Sequence, residues 1–123
     1  MGGNGAVILV ADDQPGVRSL VRELFVDAQV VLAAHGQEAL AAAERQQPDL
    51  ALLDLRMPVM DGVETLRALR ALYPALPVVM MTAVDDGERV DECLKLGARC
   101  AIIKPFDVFE LRSLVEATLA GTS

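Results

Sequence analysis

Four short apolar runs in this chain each end in a residue able to do chemistry. "AVILVA" runs into Asp12 and Asp13, "LALLD" ends in Asp54, "PVVMMTA" carries Thr82, and "CAIIKPF" carries Lys104. A lysine at the end of a buried run is costly unless an anion meets it. One acid would be enough to cap the helix that "QPGVRSL" begins. Two adjacent acids facing a third repel each other unless a divalent cation neutralises them. Magnesium suits such a group, because it takes oxygen ligands and often only one or two carboxylates. Asp54 has the type of a nucleophile toward a phosphoryl group, which would leave an acyl phosphate. Phosphoryl transfer asks the protein mainly for alignment and charge neutralisation. Alone, Thr82 reads as a strand residue and Lys104 as a snorkelling side chain. Together they offer a hydrogen bond and an ion pair to phosphoryl oxygens. A cis bond before Pro105 would aim the amine inward, against a base rate of about 5–6% for X-Pro bonds. Asp61 and Gly62 read as a turn with Asp61 as helix cap.

These residues need a frame that brings strand ends together. The strands expected are Ala6–Ala11, Val30–Ala34, Leu50–Asp54, Pro77–Ala83 and Cys100–Lys104. All are continuous apolar runs rather than alternating ones, the pattern of a parallel sheet covered on both faces. Between them lie helix patterns. Val17, Leu20, Val21, Leu24 and Phe25 share one face behind Pro15, and further helices are expected over Gly36–Gln47, Val63–Tyr73, Asp86–Gly97 and Val108–Ala120. Gly97 is a natural stop. The reading is one α/β domain, a doubly wound parallel five-stranded (βα)5 sheet in flavodoxin-like order 2-1-3-4-5, with a core over about residues 6–120 of 1–123. In such sheets ligands bind beyond the carboxyl ends of the strands, where all the residues above would converge.

Composition narrows the function classes. With 123 residues and 53% apolar content, the chain suits one domain with a real core. A net charge of −7 argues against nonspecific nucleic-acid binding. No apolar run approaches the ~18 residues of a membrane span. No secretory signal is read, which points to the cytoplasm, and "MGGNG" reads as a frayed end or an expression remnant. Cys93 and Cys100 lack metal-type spacing and read as free, semi-buried thiols. His35 reads as a surface loop residue rather than a phosphocarrier. A G-x-x-x-x-G-K-[ST] loop is missing, which removes that nucleotide-binding class. A flavodoxin would need a Ser/Thr-rich loop after the first strand. A haloacid-dehalogenase-type phosphatase would need an acid where Arg56 stands.

The ordered set "VADDQP", "LLDLRMPVMDG", "VVMMTA" and "LGARCAIIKPF" resembles the receiver domain of two-component response regulators, over about Val7 to Leu119. The segment "YPALPVVMMTA" looks most like receivers of transcription activators of the nitrogen-regulation and FixJ-like types. The resemblance implies that Asp54 accepts a phosphoryl group from a histidine kinase or phosphotransfer protein. It implies that Asp13 and Asp54 bind Mg2+ directly, with Asp12 acting through water and the Arg56 carbonyl as a further ligand. Lys104 would pair with the phosphoryl group, and Thr82 would move to hydrogen-bond it. The change would spread to the fourth helix, fifth strand and fifth helix, a face used for homodimers or partners.

Such a domain catalyses only its own phosphorylation and dephosphorylation and is not a turnover enzyme. Its switch would control an output domain or partner, with transcription a natural target. Any nucleic-acid binding would lie outside this domain; the chain reads either as a single-domain regulator or as a piece cut from a longer one, and the ending "LAGTS" mildly favours the piece. The sequence departs from the pattern at Ala101, where the family's switch aromatic usually stands. Gln14 replaces a common third acid. Arg56 and Val84 occupy positions that tune the lifetime of the modified aspartate. Ala101 keeps a second hypothesis in play, a receiver-like interaction module that works without phosphorylation.

Overall fold

Five parallel strands form the centre of the computed structural model, which describes residues 5–121. The elements alternate as β1 (Val7–Ala11), α1 (Pro15–Leu24), β2 (Gln29–Ala33), α2 (Gly36–Arg45), β3 (Leu50–Asp54), α3 (Gly62–Leu72), β4 (Val78–Thr82), α4 (Gly87–Lys95), β5 (Cys100–Ile103) and α5 (Val108–Leu119). The strand order is β2-β1-β3-β4-β5, as the α/β reading expected. All four pairings are parallel, so every strand ends on the same edge. The expected fraying of the first residues concerns positions 1–4, outside the described residues. Gly5 itself donates to the Asp27 carbonyl at 3.0 Å.

The continuous apolar runs follow from two cores. Leu9, Ala11, Leu53 and Met80 point to one face and pack with Ala39, Ala42, Leu66, Leu69 and Cys93 of α2, α3 and α4. Ile8, Val10, Leu52, Val79 and Met81 point to the other and pack with Val21, Leu111 and Val115 of α1 and α5. Alternate side chains of one strand therefore serve opposite faces, and both faces want apolar residues. This holds for the central strands β1, β3 and β4. The edge strands β2 and β5 are covered less fully, and Ile103 is half exposed.

Caps set the element ends, and they correct several expected boundaries. Asp61 and Glu64 form a reciprocal capping box at the start of α3. Asp107 caps α5 by accepting from Phe109 N at 2.7 Å and Glu110 N at 3.3 Å. His35 is more than a loop residue, since its Nδ1 accepts from Glu38 N at 3.3 Å and caps α2. No aspartate caps α1; Gln14 holds that position without a side-chain cap, and Pro15 opens the helix. Gln46 is already extended, so α2 stops short of Gln47. Asp86 lies outside α4, at its N-cap position. Gly97 adopts φ 101°, a conformation that favours glycine, just after α4. No helix among the described residues is long and apolar enough to cross a membrane.

Two glycines allow close approach here, Gly36 between α2 and the start of α3, and Gly62 between α3 and the end of β3. A Cβ on Gly62 would stand 2.5 Å from the Asp54 carbonyl oxygen and 2.7 Å from Leu55 Cα. A Cβ on Gly36 would overlap Thr65 Oγ1 and the Met60 carbonyl. The loop between β3 and α3 is thereby held tightly under the end of β3.

Candidate functional site

The carboxyl edge of the sheet gathers the residues singled out from sequence. Asp12 and Asp13 follow β1, Asp54 ends β3, Thr82 ends β4 and Lys104 follows β5. Asp12, Asp13 and Asp54 each place a carboxylate oxygen within 4.8 Å of the others. Asp12 is fully buried and Asp54 nearly so, whereas Asp13 is exposed. The Lys104 ammonium reaches Asp12 Oδ2 at 2.6 Å, Gln14 Oε1 at 3.3 Å and Asp54 Oδ1 at 3.4 Å. The Lys104–Pro105 bond is cis.

Asp12 is fixed from several sides. Its Oδ1 accepts from Gln14 N at 2.9 Å, and its backbone carbonyl accepts from Arg18 Nη1 at 2.7 Å. Asp54 is held less well. Burial raises its carboxyl most, the Asp12 charge raises it further, and Lys104 and the Arg56 backbone amide only partly reverse this, leaving it at about 6. Three carboxylates therefore gather at this edge, and two of them, Asp12 and Asp54, share one ammonium. Their oxygens, with no thiolate or imidazole among them, suit a small hard dication.

Thr82 is buried at the same edge, but its hydroxyl donates to the Ala83 carbonyl at 3.2 Å rather than to Asp54. Lys104 likewise sits closer to Asp12 than to the residue it was expected to serve. The structure also brings in a residue that sequence reading passed over. Asp86, almost fully buried, pairs with the Arg56 guanidinium, whose Nε lies 3.1 and 3.0 Å from its two oxygens. A second contact runs from Arg56 Nη2 to Asp86 Oδ1. The pair holds Asp86 below the usual carboxylate range and Arg56 above its own. It ties the loop after β3 to the loop after β4. The only sequence signal was an acid four residues beyond Thr82, and its position next to a helix pattern hid it.

Residues 8–116 match the family described as the response regulator receiver domain. The chain is a receiver domain of a two-component response regulator. This receiver is 39% identical to sporulation initiation phosphotransferase F of Bacillus subtilis, over 91% of this chain and 92% of that protein. It is 41% identical to the transcriptional regulatory protein ZraR of Escherichia coli, over 94% of this chain but 26% of that protein. Against such transcriptional regulators it spans about a quarter of their length. Among solved structures it resembles the receiver domain of NtrX from Brucella abortus, with a TM-score of 0.87 and 31% identity over 94% of this chain and 99% of that one. It also resembles the chemotaxis protein CheY4 of Vibrio cholerae, with a TM-score of 0.86 and 32% identity over 93% and 98% of the two chains.

One position of the receiver is open. Ala101 sits on β5 opposite Met80 and, with Thr82, lines a mainly apolar cleft of about 470 Å3 between α4 and β5. Val84, Val90, Leu94 and Ile103 are among its walls. A small side chain at 101 leaves this space unfilled.

Proposed function

We propose that this receiver accepts a phosphoryl group on Asp54 and uses the modification as a switch. The observation that carries the reading is the convergence of Asp54 with Asp12, Asp13 and Lys104 at one sheet edge. An Asp54 oxygen would attack phosphorus of a phosphohistidine. The P–N bond would break, and the imidazole would leave with the electron pair and take a proton. Asp54 is buried and short of counter-charge, which makes it a better nucleophile than a solvated carboxylate. Lys104 would move from Asp12 toward the phosphoryl oxygens, and Thr82 would exchange the Ala83 carbonyl for them.

Asp12, Asp13, Asp54 and the Arg56 carbonyl are the groups that would hold Mg2+. When bound, that ion supplies charge neutralisation for the phosphoryl oxygens. The phosphoryl donor is a sensor histidine kinase or a phosphotransfer protein. The domain acts on itself alone, folds as one unit over about 6–120, and works in the cytoplasm. Its output passes through the face of α4, β5 and α5, to a homodimer partner or an output domain. Transcription is the favoured output, given relatives such as ZraR; DNA contact would belong to another domain.

Incubation with Mg2+ and acetyl phosphate tests this. The mass should rise by one phosphoryl group, and Asp54→Asn should abolish the rise. No rise, with Mg2+ shown to bind, would refute the reading. It would leave the second reading, favoured by Ala101, of an interaction module that works without phosphorylation.

A further inference from the structure

The receiver lacks a ring at position 101, so a signal from Asp54 needs another way out. The structure offers one at the start of α4. Asp86 occupies the N-cap position of that helix yet makes no side-chain cap bond. An aspartate there ordinarily accepts from the second or third amide of the helix, here Glu88 or Arg89. Instead its carboxylate is turned to Arg56. Arg56 in turn touches both ends of the problem. Its backbone amide faces the Asp54 carboxylate, and its guanidinium holds Asp86.

The geometry points to a relay. We propose that Asp86 has two positions: it holds Arg56 while Asp54 is bare, and turns to cap α4 once a phosphoryl group on Asp54 draws Arg56 away. The inference rests on the phosphoacceptor reading above. A phosphoryl group brings close to two negative charges, against one on Asp86, and a guanidinium prefers such an anion. The released carboxylate then finds unpaired amides and a favourable dipole at the start of α4.

The surroundings permit the movement. Ala83 O accepts both from the Thr82 hydroxyl and from Asp86 N at 3.2 Å, so a turn of Thr82 loosens the same loop. α4 itself is lightly held, with Cys93 its one fully buried residue. Its other ties to α3 are exposed ion pairs, Arg89 with Asp61 at 3.6 Å and Arg67 with Glu92 at 3.3 Å. On the opposite side, the cleft at Ala101 gives the loop room.

Amide hydrogen exchange at Glu88 and Arg89 tests the relay, with phosphoryl uptake followed by mass in the same samples. In the wild type, Mg2+ and acetyl phosphate should slow both amides about fivefold, the worth of a typical cap. Arg56→Ala should show that slowing before any modification, and modification should add little. Asp86→Asn, which can still cap but has lost the charge that holds Arg56, should behave like Arg56→Ala. Asp86→Ala should show no slowing in either state. A modified wild type with unchanged Glu88 and Arg89 overturns the relay. So does an Arg56→Ala protein that starts like the wild type and slows equally on modification. If the wild type takes up no phosphoryl group, the phosphoacceptor reading and the exchange of partners fall together. The hold of Arg56 on Asp86 is then judged by the unmodified proteins alone: slower amides in Arg56→Ala uphold it, and equal ones overturn it.

Discussion

The Lys104 ammonium lies 2.6 Å from the Asp12 carboxylate, although 92 positions of chain separate them. The bond joins β1 to β5 across the β3 and β4 positions of the sheet edge. In the bare receiver the lysine therefore does structural service as the charge partner of buried Asp12.

Lys104→Met strips Asp12 of its charge partner inside the protein. A fully buried pair broken in this way loses ~3–5 kcal/mol. Lys104 keeps some exposure to water, so a loss of about 2 kcal/mol is expected. Urea unfolding in chelator should show it. Asp12→Asn added to Lys104→Met should recover part of the loss, and Mg2+ should narrow the gap between Lys104→Met and the wild type.

Acid should stabilise the metal-free receiver through Asp54. Its carboxyl titrates at about 6 when folded, against an ordinary 3.8. Between those values the folded state binds the proton more readily than the unfolded state, so stability falls as pH rises through the window. The slope cannot exceed ~1.4 kcal/mol per pH unit for one group. Measured in chelator, the difference in unfolding free energy between wild type and Asp54→Asn should grow in the wild type's favour from about pH 6.5 to about pH 4. A flat difference would contradict the electrostatics described for the site.

Val59 is strained. It takes φ 69°, a region that β-branched residues avoid, and Met60 N closes a tight turn onto the Pro58 carbonyl at 2.7 Å. Its side chain is well exposed, so little burial is at stake. Val59→Asn should raise stability by about 1 kcal/mol, read as a higher urea midpoint. Phosphoryl uptake should survive the change if the loop keeps its path.

Cys93 should be chemically silent in the folded receiver. Burial, then the Glu92 and Asp61 charges, push its thiol up to about 11. A thiol so rarely ionised attacks slowly. Thiol-reactive dye at neutral pH should label Cys100, which is only half buried, ahead of Cys93. Labelling of Cys93 should follow the unfolding curve. Rapid native labelling of Cys93 would show that α4 opens far more readily than its packing implies.

Asp54, Thr82 and Lys104 were legible in sequence because a parallel sheet sends every strand end to one edge. Once the strands are recognised, convergence follows without any knowledge of side chains. All five strands were found to within a residue at each end, and β3, buried on both faces, matched its expected span of Leu50–Asp54. Contacts made by loops were not legible. Arg56 and Asp86 are 30 positions apart, and their meeting depends on the paths of two loops that no periodicity encodes. The helix pattern even drew Asp86 inside α4, whereas its backbone sits at the cap. His35 was missed for a related reason, because an imidazole is an uncommon cap and only the turn geometry presents Nδ1 to Glu38 N. The resting partner of Lys104 was hidden too: types and order showed which residues gather but not how one ammonium divides itself between Asp12 and Asp54.

Gly62 and Gly36 bear on how a mutational survey of this receiver would look. Neither carries an atom that reacts, yet any side chain at Gly62 meets the backbone of Asp54 and Leu55, and any at Gly36 meets Thr65 and Met60. Substitution at Gly62 would press on the backbone that carries the Asp54 carboxylate, and substitution at Gly36 on the start of α3, without removing that carboxylate. A survey scored on phosphoryl uptake alone would therefore draw the active centre too large, with two silent glycines inside its border. Scoring abundance alongside uptake would separate residues that perform the reaction from residues that leave it room.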